Sequence, residues 1–213
     1  MSTEDLIARL SRDLRPTPPG AAARRLLLAV AVGALVALTA LMALLGPRAD
    51  IAQAIGSSAF WMKAAYSGAL ALAALAALSR VARPGATGGP AWAGVFAVPL
   101  IVFALGGMEL MSAPADARRA LVMGHSWTVC PWRILGFSAP VFVAVIWAFR
   151  RLAPTRLRLA GFAAGLASGA VGATVYGVAC SETAAAFLAV WYTLGMAIAG
   201  AVGALLGPRL LRW

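Results

Sequence analysis

The chain has 213 residues, of which 62% are hydrophobic and only 12% are charged. A soluble domain has about a quarter of its residues charged, so this composition excludes an ordinary water-soluble fold and predicts a membrane protein. The formal net charge of +11 is compatible with nucleic-acid binding, but the arginines stand in short clusters between apolar runs, which is typical of membrane-topology signals. Two cysteines are too few for a disulfide scaffold, but enough for one bridge or one pair of thiols.

The N-terminal segment STEDLIARLSRDLRPTPP, residues 2–19, has the pattern of a short amphipathic helix. Ser2 or Thr3, followed by two acidic residues, is a helix-start signal, and three prolines end the segment. The apolar side chains that share one helical face are Leu6, Ile7, Leu10 and Leu14. A helix of about a dozen residues is marginal alone in water. We therefore expect it to fold either on lipid or its own bundle, or in the groove of a partner protein.

Six apolar stretches follow, each close to the 20 or so residues that cross a bilayer as a helix. They cover residues 26–45, 60–78, 91–111, 134–149, 159–179 and 184–206. The fourth is the shortest, and we expect it to begin nearer Pro131. The sequence thus predicts an all-α membrane protein: a cytoplasmic segment and linker over residues 1–24 and a six-helix transmembrane bundle over residues 25–213.

The distribution of basic residues predicts the orientation of this bundle. Of the 18 lysines and arginines, thirteen fall on the side of the N-terminal segment and five on the other. The positive-inside rule therefore places both termini in the cytoplasm, which in a bacterium makes the chain an inner-membrane protein. Tryptophans near several span ends suit the aromatic belt at the membrane interface.

The interiors of the predicted spans contain no charged side chain near their middle. Lys63 and Glu109 fall close to the outer ends, which argues against an ion-coupled carrier, because such proteins need ionisable residues inside the membrane. Glycines recur at four-residue intervals in the fifth and sixth spans, at 161, 165 and 169 and at 203 and 207. This spacing predicts close helix packing. Pro99 and Pro140 are expected to bend the third and fourth spans.

Cys130 and Cys180 both fall on the predicted outer side, in the oxidising periplasm of a bacterium. Cys130 precedes the fourth span with Pro131 behind it, so the positive end of the helix dipole is expected to favour its thiolate. Cys180 lies in the CSET turn between the fifth and sixth spans. Because the chain crosses the membrane twice between them, the two residues are expected at the same membrane level.

Three interpretations of the cysteines remain open at this point. They are small buried hydrophobic residues, a structural disulfide, or a redox or soft-metal sensor. In the third case thiolate and imidazole ligands suit zinc, cadmium or copper, and the candidate ligands are Cys130, Cys180, His125 and Glu182, with Asp116 and Glu109 as further carboxylates. The spacing of these residues fits no fixed metal motif.

Three stretches give the chain a resemblance that covers nearly its whole length. DLIARLSRDLRP in the N-terminal segment, SWTVCPWRI before the fourth span and CSETAAAFLAVWYTLGM into the sixth resemble the NrsF-type family of bacterial membrane anti-sigma factors. The resemblance implies that the cytoplasmic segment sequesters an extracytoplasmic-function (ECF) sigma factor. It also implies that the cysteines matching Cys130 and Cys180 help to sense metal or oxidative stress.

The leading hypothesis is therefore a non-enzymatic transmembrane sensor without a resident cofactor, although a soft metal ion could be its signal. The sigma factor would be held by the apolar face of the N-terminal segment, Leu6, Ile7, Leu10 and Leu14, with polar contacts from Asp13 and Arg15. Two other hypotheses remain. A membrane thiol–disulfide oxidoreductase would need paired cysteines such as CxxC, which this chain lacks, and a small carrier would need intramembrane charge.

Overall fold

The computed structural model describes residues 3–5, 7, 20–81, 89–150 and 156–212. All regular structure in these ranges is helical. Six helices are long and apolar enough to cross a membrane: α1 (Ala21–Leu44), α2 (Ser58–Val81), α3 (Gly89–Ser112), α4 (Cys130–Phe149), α5 (Leu157–Tyr176) and α6 (Ala185–Leu210). The prediction of an all-α protein with six such helices is confirmed.

The helix bounds agree with the predicted spans to within a few residues at most ends. The fourth helix begins at Cys130, which is close to the expected start at Pro131. Pro99 and Pro140 both lie inside continuous helices. Two short helices, Ile51–Ala54 and Ala115–Met123, lie in the connections before α2 and α4.

Helix α5 lies at the centre of the bundle and is the most buried of the six. It packs along α6, α4 and α2, and more briefly on α1, whereas α3 lies at the edge against α2 and the start of α6. The small residues of α5, LRLAGFAAGLASGAVGATVY, explain this position, because a thin helix lets four neighbours approach it closely.

The four-residue glycine pattern is the contact between α5 and α6. A Cβ atom added at Gly165 would collide with the carbonyl of Ala199, and one at Gly161 would collide with that of Gly203. The two backbones therefore touch at these points, and the prediction that these glycines serve close packing is confirmed.

Helix α6 contains one turn of a different geometry. After Ala185–Phe187 the chain forms a π-helix over Leu188–Tyr192 and then continues as an α-helix over Thr193–Leu210. No feature of the sequence predicted this segment. A π-turn inside a longer helix is rare and is frequent at functional sites, and here it places Trp191 and Tyr192 at the start of the last helix.

Candidate functional site

One end of the bundle, here called the thiol end, consists of residues 45–57, 113–129 and 177–184 together with the adjoining helix starts. Cys130 is the first residue of α4, and Cys180 lies in the turn between α5 and α6. Both are free thiols and belong to one buried cluster of side chains. Their exposed fractions are 0% and 3%, so the fold places both sulfurs inside the protein.

This burial corrects part of the sequence-based view of Cys130. The residue does begin a helix, with Pro131 as its second residue, as predicted. Its side chain is buried inside the protein, however, and a thiol in apolar surroundings is less reactive than one at an open helix start. The burial agrees with the small-hydrophobe interpretation.

A buried lysine lies beside Cys180. Lys63, near the start of α2, is only 2% exposed, and its ammonium Nζ donates a hydrogen bond of 2.8 Å to the carbonyl oxygen of Cys180. The same ammonium lies 5.8 Å from the ring centroid of Tyr192, within reach of a cation–π contact. The sequence showed Lys63 near an outer helix end, but its contact with the CSET turn could not be read from spacing.

Arg48, in the loop between α1 and α2, also holds this turn. Its Nη1 lies 3.4 Å from the Cys180 carbonyl oxygen, and its backbone N–H donates to the carbonyl of Val178 at 3.2 Å. Asp50 fixes the guanidinium through two hydrogen bonds of 2.6 Å. This bonding lowers the pKa of the Asp50 carboxyl and raises the pKa of Arg48.

Two tyrosines pack in the buried cluster of side chains that contains both cysteines, here called the thiol cluster. The Tyr192 ring lies 6.2 Å from that of Tyr176, which in turn lies 6.4 Å from Phe137, measured between centroids. The Tyr192 hydroxyl is fully buried and has no nitrogen or oxygen acceptor among the described residues, so its contacts are with the thiol of Cys180. The ionisable groups that interact with it electrostatically include the thiols of Cys180 and Cys130.

Glu182 joins the turn before α6 to the turn before α4. Its Oε1 accepts hydrogen bonds from the backbone N–H groups of His125 at 2.7 Å and Ser126 at 2.9 Å, and from the Ser126 hydroxyl at 3.0 Å. Gly124, at φ +53, leaves no room for a side chain beside this carboxylate. Glu109 has a similar role, because its carboxylate accepts the Ala186 N–H at the start of α6, at 2.8 Å.

These contacts bear on the proposed metal ligands. His125 meets Glu182 through its backbone, and the Glu182 carboxylate points to the residue 125–126 turn. Asp116 is exposed on its own short helix. Within the described ranges no three His, Cys, Asp or Glu side chains come together as a metal site would require, so Cys130, Cys180, His125 and Glu182 do not form a ready-made metal centre in this structure.

Of the predicted partner-binding residues, Ile7 alone is described. It is helical and 61% exposed, and residues 3–5 are helical as well. Leu6, Leu10, Asp13, Leu14 and Arg15 lie outside the described residues.

Comparison with known proteins gives a consistent result over the full chain. The family model described as "Negative regulator of sigma F" (NrsF) matches residues 10–213. The anti-sigma-F factor NrsF of Caulobacter vibrioides is 43% identical, and the probable anti-sigma-F factor NrsF of Azospira oryzae is 42% identical, each over the whole of both chains. No solved structure matches this chain significantly. The chain belongs to the NrsF family of negative regulators of sigma F.

Proposed function

We propose that this protein is a membrane anti-sigma factor that holds an ECF sigma factor through its N-terminal helix and releases it when its two thiols are oxidised. The family and the full-length relatives named as anti-sigma-F factors support the sigma-binding part. The observation that supports the sensing part is the burial of two free thiols in one cluster, at the point where α2, α4, α5 and α6 meet.

The proposed orientation follows the positive-inside rule. The N-terminal segment and its side of the bundle are cytoplasmic, so the sigma factor meets the apolar face of Leu6, Ile7, Leu10 and Leu14 there, with polar contacts from Asp13 and Arg15. The thiol end then faces the bacterial periplasm across the inner membrane. Disulfides form and persist in that compartment, which suits a thiol sensor.

Oxidation supplies a signal that the buried cluster can detect. A sulfenic acid or a disulfide changes the polarity and spacing of two sulfurs that now pack as apolar groups. Cys130 begins α4 and Cys180 ends the α5 turn, so either product re-packs the starts of α4 and α6. We favour oxidation over metal binding because the described residues offer the two sulfurs no third clustered ligand.

The contact between α4 and α1 provides a route to the cytoplasmic side. These helices pack along their lengths, and Gly33 of α1 touches the backbone of Val141 in α4 so closely that a Cβ would collide. Movement of α4 is therefore passed to α1 by direct contact, and α1 follows the sigma-binding segment in the chain. The mechanism requires two packings of the bundle that differ little in free energy.

The proposal is tested with the full-length protein and its cognate sigma factor in detergent or nanodiscs. Hydrogen peroxide should release the sigma factor from the native protein. The double variant Cys130→Ser and Cys180→Ser should bind the sigma factor normally and keep it after peroxide. Leu10→Asp should abolish binding in either redox state. Peroxide release from the double variant would refute the thiol mechanism, and binding that survives Leu10→Asp would refute the proposed docking face.

A further inference from the structure

We propose that Lys63 and Tyr192 form a site for negative charge on the Cys180 sulfur, and that this site promotes the oxidation of the thiol pair. The proposal deepens the thiol-sensing function and rests on it. It begins from a buried cation: the Lys63 ammonium is almost completely enclosed, and the one hydrogen bond that it makes among the described residues goes to the Cys180 carbonyl.

The carboxylates nearby do not neutralise Lys63. Glu182 is bonded to the turn at residues 125–126, Asp50 is paired with Arg48, and Glu109 is bonded to the Ala186 N–H. Removal of an ammonium from water is unfavourable unless an anion compensates it. A buried lysine without a carboxylate partner therefore stabilises any negative charge that arises next to it.

The space beside Lys63 excludes a larger anionic ligand. The cavity that Lys63 lines with Ser67 and Thr174 has a volume of about 10 Å³, which is about the space of one water molecule. No anion larger than about one water molecule fits beside Lys63 in this cavity. The groups that act on Lys63 electrostatically are the thiols of Cys180 and Cys130, which can become anions, and the cation Arg48.

Tyr192 supplies an independent second observation. Its hydroxyl is fully buried and meets no nitrogen or oxygen acceptor among the described residues, and the side chains that it faces are the thiols, Cys180 before Cys130. A buried hydroxyl without a strong acceptor is destabilising. A negatively charged sulfur would accept a hydrogen bond from the Tyr192 hydroxyl. Charge at Cys180 would therefore give this hydroxyl a strong acceptor and give the Lys63 ammonium an anionic neighbour.

The reaction that this site promotes is oxidation by a hydroperoxide. The Cys180 sulfur, as it loses its proton, attacks one peroxide oxygen, the O–O bond breaks, and a sulfenic acid and water form with hydrogen peroxide as the oxidant. The Cys130 sulfur then attacks the sulfenic sulfur, the S–S bond forms, and the hydroxyl leaves as a second water. Two thiols lose two electrons, one peroxide gains them, and the two thiol protons end in the water molecules.

The test measures the rate at which purified full-length protein loses free thiols in hydrogen peroxide at fixed pH. Lys63→Met removes the charge and the donor, and Lys63→Gln removes only the charge. We expect each to slow the reaction at least tenfold, with Tyr192→Phe slowing it less. Lys63→Arg keeps the charge and should react at close to the native rate.

This comparison separates an electrostatic role from a structural one. If Lys63 only held the CSET turn, its loss would loosen the turn and expose the sulfurs, so oxidation would be unchanged or faster, and that result would overturn the proposal. Thermal unfolding of each variant identifies any that fail to fold. If Lys63→Met does not fold, the rates of Lys63→Gln and Tyr192→Phe test the proposal. The readout needs no sigma factor. The Lys63 variants could therefore slow thiol oxidation even if oxidation of the native protein releases no sigma factor. That combination would count against the sensing function and not against this site.

Discussion

The Glu182 carboxylate accepts three hydrogen bonds from the residue 125–126 turn and is almost entirely buried. Hydrogen bonds to charged groups contribute more than neutral ones, and buried donors without an acceptor are costly. A single side chain thus fixes the turn before α4 relative to the turn before α6, and the two cysteines lie at the ends of those turns.

Glu182→Ala should therefore lower the free energy of unfolding by about 1–3 kcal/mol, because it leaves two part-buried backbone N–H groups without this acceptor. It should also speed the labelling of Cys130 and Cys180 by a thiol-reactive dye. Asp116→Ala, which removes an exposed carboxylate on the neighbouring short helix, is the matched control and should change neither quantity. Slow labelling and native stability in Glu182→Ala would contradict the role assigned to this carboxylate.

The Arg48–Asp50 pair predicts a dependence on acid. The bonded guanidinium lowers the pKa of Asp50 below its usual value. The stabilisation by the pair is therefore present above the ordinary pKa of an aspartate and is lost as the pH falls through the lowered pKa. Asp50→Asn should remove this part of the acid dependence and change stability little at neutral pH, because the carboxylate is exposed. Urea unfolding of both proteins between pH 2 and pH 7 measures it; identical pH profiles would show that the pair has no such effect.

At the scale of elements, the α5–α6 contact depends on residues that have no side chain. The carbonyl of Ala199 occupies the position that a Cβ at Gly165 would need, whereas Gly136 on α4 and Gly68 on α2 have no neighbour within 4 Å of such an atom. Helix packing in a membrane gains little from the hydrophobic effect, so close contact of this kind carries much of the association.

Gly165→Ala should accordingly destabilise the bundle by about 1–3 kcal/mol, the usual cost of overpacking a tight interface. Gly136→Ala makes the same chemical change in open space and should be neutral or slightly stabilising, because alanine favours the helix. Thermal unfolding in one detergent compares the two variants directly. Equal melting temperatures for both would mean that α5 and α6 do not pack as closely as described.

The π-helix of α6 is an element that periodicity could not predict. Its residues LAVWY are apolar like those around them, so the composition is that of a continuous α-helix. What distinguishes the segment is its tertiary setting: the Trp191 indole donates to the Val122 carbonyl at 2.9 Å, and Tyr192 packs in the thiol cluster. These contacts come from distant parts of the chain, beyond the range of a local sequence pattern.

For the molecule as a whole, the sequence predicted the features that depend on long runs of similar residues. Six spans follow from apolar length, and the glycine contacts follow from four-residue spacing. Burial of Cys130, the position of Lys63 beside the Cys180 carbonyl and the bonding of Glu182 depend on how helices far apart in the chain come together. The candidate metal ligands fall on the same side of the predicted membrane, but the order of the spans does not determine where a carboxylate points.

The orientation of the whole molecule is the remaining prediction. The excess of arginine on the side of the N-terminal segment places that side in the cytoplasm, which puts Gln53, an exposed residue of the thiol end, in the periplasm. In a background without Cys130 and Cys180, a membrane-impermeant maleimide applied to intact spheroplasts should label Gln53→Cys. Thr3→Cys, which is also exposed, should be labelled only after the membrane is opened. The opposite labelling pattern would place the N-terminal segment outside the cytoplasm, where it could not meet a sigma factor. It would also place the thiol end in the cytoplasm, away from the compartment in which disulfides persist.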